Sequence, residues 1–227
     1  MVQTLEDFVI TIETLAIGQP QTYHDAKGAW SSAIGRQAIT TPVRLEQLGH
    51  VGDAVADTKN HGGPDKAVCC QPASHYPLWQ AEYGLANDHP MLQASGIGEN
   101  WTLSNVTEQD VCIGDQFKVG SAIVQICAPR YPCTKQDRKL GLDGLQQRTI
   151  ATLRSGFYLR VLQAGEVQVG DGLELIERPH PTITVHKVNQ HLHHERDQAF
   201  GRQLLVVDEL AASWKRIIQM IIPSLAQ

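Results

Sequence analysis

The sequence contains no apolar run near the roughly 20 residues a helix needs to cross a bilayer, so no membrane association is expected. It has no surplus of basic residues. Lys and Arg number 19 against 24 Asp and Glu, a formal net charge of -5, which excludes a general nucleic-acid binder that relies on a basic surface. Paired cysteine spacing is also missing. Five scattered cysteines suit free thiols in a reduced, cytoplasmic compartment better than a disulfide framework. The start, Met1-Val2-Gln3-Thr4-Leu5-Glu6-Asp7, lacks the basic stretch of a secretory signal. No flavin or nicotinamide fingerprint is present. What remains is a chain of 227 residues, 42% hydrophobic, able to form one large domain or a domain plus a small appendage.

Short β-branched runs separated by glycine and proline dominate the first 180 positions. Phe8 to Ile17 reads as an opening strand. Further strands are expected at Ser32–Ile34, Pro42–Leu45, Lys66–Cys69, Asn100–Leu103, Gln116–Val119 and Ala122–Ile126, with Gly120-Ser121 as a hairpin turn. Ser74 to Tyr83 reads as a short helix ended by Gly84. Leu140 to Leu153 is helix or loop. Gly156–Leu162 and Gly165–Leu175 return to strand, and Gly114-Asp115 and Gly170-Asp171 look like tight turns leading into barrel strands. This pattern predicts a mainly β fold, a barrel over residues 1–180. Pro179 and Pro181 mark a boundary. Val185, Val188 and Leu192, then Leu210, Trp214, Ile217, Ile218 and Ile221, repeat at helical spacing, so residues 181–227 should form a small helical unit docked on the barrel. Asp208 is the expected cap of the last helix, and Pro223 its end.

Chemistry concentrates in Ala128-Pro129-Arg130-Tyr131-Pro132-Cys133-Thr134-Lys135. The prolines stiffen this segment and keep it out of a central sheet ladder. Arg130 and Lys135 favour a thiolate at Cys133, suited to holding a metal or attacking an electrophile; a surface cysteine beside an otherwise engaged arginine is the plain alternative. In His61-Gly62-Gly63-Pro64-Asp65-Lys66, paired glycines can turn N–H groups toward an anion and Lys66 adds charge. An ordinary Gly-Pro turn would look the same, and the spacing is not that of the phosphate loop of nucleotide hydrolases. Asn100, after Gly98-Glu99, could read a polar ring edge or belong to a polar turn. Cys69-Cys70 with His61 and His75 match no zinc pattern, since neighbours on a strand face opposite ways. His191-Leu192-His193-His194-Glu195 reads as a solvated helix end.

Taken in order, these pieces resemble the MOSC-domain family, in its YiiM-type branch. The resemblance runs from Ser32-Ala33-Ile34-Gly35-Arg36 and Thr41-Pro42-Val43 through Gly52-Asp53, Ala56-Asp57, His61–Val68, Gly98-Glu99-Asn100, Gly114-Asp115 and Pro129–Cys133. It continues through Gly156–Leu162 and Gly170-Asp171 to the helical tail. Two departures stand out. Cys69-Cys70-Gln71 replace a histidine and tyrosine usual after the Lys-Ala strand, and Thr134 replaces an aromatic residue after the key cysteine.

The resemblance implies a β-barrel like the inserted domain of pyruvate kinase, with a C-terminal three-helix appendage. It also implies a molybdenum cofactor (molybdopterin), with Cys133 as metal ligand and catalytic residue or as a sulfur carrier. Arg36, Arg130, Lys66 and Asn100 match positions near the cofactor, and His61, Gly62 and Gly63 complete the expected binding set. The implied activity is reduction of N-hydroxylated small molecules, a detoxification reaction fed by a separate electron-donor reductase. The rival is a carrier of sulfur, as a Cys133 persulfide, or of the cofactor itself; a third reading is a sensor module without metal. Oligomeric state is left open.

Overall fold

The computed structural model describes residues 9–93 and 95–222. The strands are β1 (Ile10–Ile17), β2 (Gln21–Asp25), β3 (Gly28–Ser32), β4 (Gln37–Ala38), β5 (Val43–Glu46), β6 (Gly49–His50) and β7 (Val68–Pro72). They continue with β8 (Trp101–Ser104), β9 (Gln116–Val119), β10 (Ala122–Pro129), β11 (Phe157–Gln163), β12 (Gly165–Val167) and β13 (Gly172–Glu177). Seven of them close a barrel in the order β13-β9-β10-β11-β7-β8-β1, with β1 pairing back onto β13. The β7–β8 contact is parallel. Closure leaves no exposed sheet edge along this ring, which is how short strands become a stable scaffold.

Local chemistry explains several joints. Before β9 and before β13 a Gly-Asp pair makes the same turn. Asp115 Oδ2 accepts from the Cys112 N–H at 2.8 Å, and Asp171 Oδ2 accepts from the Gln168 N–H at 2.9 Å. The expected turns are present. Gly156 has φ +75, and an added Cβ would lie 2.1 Å from the Cys70 carbonyl oxygen. Only glycine lets β11 approach β7 this closely.

Among the described residues seven α-helices decorate the barrel: α1 (Thr58–His61), α2 (His75–Tyr83), α3 (Lys135–Leu140), α4 (Leu145–Thr152), α5 (Val185–Gln190), α6 (Gln198–Leu205) and α7 (Ala212–Ile221). A π-helical turn, His191–Glu195, extends α5. Helix α2 ends at Gly84, as its sequence suggests, in a left-handed conformation. The last three helices share one apolar cluster with the barrel, in which Val188, Leu204 and Ile218 are fully buried. Each such side chain contributes about 1.5–3 kcal/mol. The Ala211 N–H also donates to the Cys127 carbonyl of β10 at 2.9 Å. A mainly β barrel with a three-helix appendage therefore matches the expectation. Among the described residues no helix is long and apolar enough to cross a membrane.

Four local expectations need correction. The strand placed at Ser32–Ile34 lies earlier, as β3 of a β2–β3 hairpin whose polar sequence hid it. Pro129 does join a ladder: it ends β10 opposite Phe157, just after a register shift at Ile126/Ala128. A proline is tolerated at such a strand end because the ladder stops there. Asp208 is exposed and caps nothing; α7 starts after Ala211 without a side-chain cap. His191 is not solvated but fully buried, edge-on to Phe200 at 5.4 Å. Phe8 and Pro223 lie outside the described residues.

Candidate functional site

One cavity of about 420 Å³ opens where the loops at one end of the barrel converge. Its walls include all of Arg36, His61, Gly62, Gly63, Lys66, Asn100, Arg130 and Cys133. These residues come from segments up to about a hundred positions apart, and barrel closure is what brings them together. Their side chains fall into two groups.

Arg36 and Asn100 are already occupied. Arg36 makes a two-point ion pair with Asp53, Nε–Oδ1 and Nη2–Oδ2 both at 2.9 Å, and its Nη1 donates to the Gly98 carbonyl at 2.7 Å. Asn100 Oδ1 accepts from the Cys69 N–H at 3.1 Å, while its Nδ2 donates to Asp53 Oδ2 at 3.0 Å and to the Ala16 carbonyl at 3.3 Å. The Asn100 amide thus fastens β1, β7 and the Asp53 loop instead of presenting a ring-reading edge. Next door, Glu99 is fully buried and accepts from Tyr76 Oη, from Thr102 Oγ1 and from the Ile97 N–H.

The second group has capacity left. Arg130 is anchored by its N–H to the Gly156 carbonyl (2.9 Å) and by Nη2 to the Ile97 carbonyl (2.6 Å). Its Nη1 is buried with no partner among the described residues. Gln136 Oε1, on α3, is buried and unpartnered in the same way. A buried donor left unpaired costs about 1–3 kcal/mol unless something fills it. Cys133 is partly exposed and in no disulfide. Its carbonyl accepts from the Gln136 N–H at 3.0 Å, so the thiol sits at the root of α3.

His61 ends the single-turn helix α1, with Asp57 Oδ2 3.6 Å from its Nδ1. Burial pushes the His61 pKa down, and it lowers that of Lys66 too. Lys66 Nζ donates to the Asn60 carbonyl and lies 6.0 Å from the centre of the Tyr158 ring. Gly63 has φ +98, and an added Cβ would meet nothing within 4 Å, so backbone is bared toward open space there. The turn's own hydrogen bonds run from the N–H groups of Lys66 and Ala67 to the carbonyls of Gly63 and Pro64. Asp65 pins this turn to β11 through Arg160 at 2.9 Å.

A MOSC domain family model matches residues 57–174, more than half of the chain. The chain belongs to the MOSC domain family. An uncharacterized protein of Bacillus subtilis, YflK, is 37% identical over 90% of this chain and 91% of its own length. A Gibberella moniliformis protein named "Reductase" is 35% identical over 72% of this chain, which covers only 29% of that longer protein. The crystal structure of YiiM from Geobacillus stearothermophilus superposes with a TM-score of 0.78 at 33% identity, covering 93% of this chain and 98% of that one. This MOSC protein is therefore of the YiiM type.

Several residues of the cavity carry no local sequence signal. Asp53 takes its role through contacts with Arg36 and Asn100 and with the Gly18 N–H, which donates to its Oδ1 at 2.8 Å. Tyr158, on β11, and Leu48, in the β5–β6 turn, reach the wall through the fold. Cys69 lines the cavity while its neighbour Cys70 does not, and burial pushes both thiols up. Among the described residues no group of three His, Cys, Asp or Glu could hold a metal ion by itself.

Proposed function

We propose that this cavity binds a molybdenum cofactor and that the protein reduces N-hydroxylated compounds there, with electrons from a separate reductase. The observation that carries this reading is the pairing, in one cavity, of a reachable thiol at Cys133 with an unpartnered, buried guanidinium nitrogen of Arg130. Membership of a family associated with the molybdenum cofactor supports it, as does the relative named for reduction.

The residues present fit such a group. A lone cysteine cannot chelate a metal, but it can complete the coordination of one that arrives with its own sulfur ligands. Arg130 and Lys66 supply positive charge for an anionic ligand, and arginine can hold a phosphate oxygen pair with two donors. The bared backbone at Gly63 permits close approach, while Gly62 packs its backbone against Thr58. When bound, the cofactor supplies the two-electron chemistry. Loss of an N-hydroxyl oxygen as water consumes two electrons and two protons, and His61, Lys66 and Lys135 are proton-holding side chains of the wall. Arg36 and Asn100 act one step back: they fix the wall, and Asp53 neutralises Arg36.

Natively expressed protein should carry molybdenum and a pterin, and should reduce an N-hydroxylated substrate when given a chemical electron donor. Cys133→Ser should lose metal and activity, by at least about a hundredfold. Its thermal midpoint should hold, since a partly exposed substitution has little effect on stability. Cyanide-labile sulfur without metal would instead make Cys133 a sulfur carrier. A Cys133→Ser protein that keeps metal and activity would defeat both roles.

A further inference from the structure

We infer that Tyr131, braced from behind by the C-terminal helices, is the surface on which the flat part of a substrate rests, and that it makes the cavity prefer planar over saturated substrates. This rests on the reading of the cavity as a site for N-hydroxylated compounds.

Tyr131 is an unusual residue in its place. It lines the cavity yet is 48% exposed. Its backbone cannot drift, because it lies between buried Arg130 and the fixed φ of Pro132. Its ring has two aromatic neighbours among the described residues, both from the C-terminal helical unit. The His193 ring centre lies 5.8 Å away at a 48° tilt, and Trp214 lies 6.4 Å away, edge-on at 60°. Trp214 is itself 2% exposed, so the brace is part of the core. A large aromatic ring held rigidly on one side and left open on the other is built to stack. Leu48, 74% exposed in the β5–β6 turn, adds another exposed apolar side chain to the same cavity.

The cavity wall carries Arg36, Lys66, Arg130 and Lys135 against Asp53 and Asp57, and Tyr131 and Leu48 give it exposed apolar surface. A ligand suited to both has a polar N–OH head and a flat, uncharged body. Cys133 lies two residues beyond Tyr131, a span of at most about 7 Å, so a head at the thiol leaves the body at the tyrosine. The helical tail, placed far from the glycine turn in sequence, thereby acquires a task at the site: it sets the position of one ring.

Benzhydroxamic acid and cyclohexanecarbohydroxamic acid share a head and differ in the flatness of the body. Calorimetry on metal-free protein should show the flat ligand binding about tenfold more tightly. Tyr131→Phe should keep that ratio. Tyr131→Ala should bring it near one with the thermal midpoint unchanged, and His193→Ala should lower it in part. In metal-loaded protein, Tyr131→Ala should raise KM for planar substrates and leave kcat alone. Equal binding of the two ligands, binding of neither, or a preference that survives Tyr131→Ala overturns the inference. Reduction that proceeds without a Tyr131-dependent preference sinks the inference and spares the proposed function. A ring preference in protein that neither holds metal nor reduces does the reverse.

Discussion

The two sides of the cavity differ in what their polar groups already hold. On the Asp53 side, two carboxylate oxygens gather Arg36 and Asn100 into a closed set, with every strong donor facing a protein acceptor. On the Cys133 side, a guanidinium nitrogen, an amide oxygen and a thiol stand without partners of comparable strength among the described residues. The first arrangement maintains shape and the second waits for a ligand. Positive charge in a cavity wall is therefore not by itself a sign of ligand binding; what counts is whether the charge is already answered.

The largest test of that contrast is Asp53→Ala. It strands a buried guanidinium and a buried amide, so urea unfolding should show a loss of about 3–5 kcal/mol. A loss below about 1 kcal/mol would mean the Asp53 side is as loosely held as the other. Close behind comes the pH dependence of the same side. Burial holds His50 at about 4, against an ordinary value of 6.5, and the Trp101 indole N–H donates to its Nε2 at 2.9 Å. The unfolded chain takes up this proton first. Stability present above pH 6.5 should therefore decline as pH falls toward 4, by up to about 3 kcal/mol. His50→Gln keeps an acceptor for the indole and should flatten that slope; an unchanged slope would assign it to other groups. The smallest effect belongs to the Cys133 side. Lys66→Met should reduce cofactor retention about tenfold, read as molybdenum per chain after dialysis, with the folding free energy within about 0.5 kcal/mol.

The same division explains what could be read from the sequence. Cys133 and the His61–Lys66 turn were legible because their signals are contiguous: prolines, glycines, a thiol and cations within a few positions. The barrel was legible from its short alternating runs and its Gly-Asp turns. The task of Asp53 was not, because its partners are 17, 35 and 47 residues away and only the fold brings them near. Arg36 and Asn100, which the family resemblance puts near the cofactor, do line the cavity, and their side-chain hydrogen bonds lie within the protein. Tyr131 sat in full view inside the cysteine segment, but its brace comes from helices 60 and more positions downstream. The burial of His191 was hidden by a run of polar neighbours that suggested solvent.

Gly156 has a consequence for anyone who diversifies this scaffold. Its carbonyl holds the main chain of Arg130, and its N–H donates to Glu108 Oε1 at 2.6 Å. Any side chain there would wedge two barrel staves apart and tilt the arginine with them. Mutant libraries aimed at new substrates should leave that codon untouched and vary the rim, where Leu48 and Tyr131 can change without moving a stave.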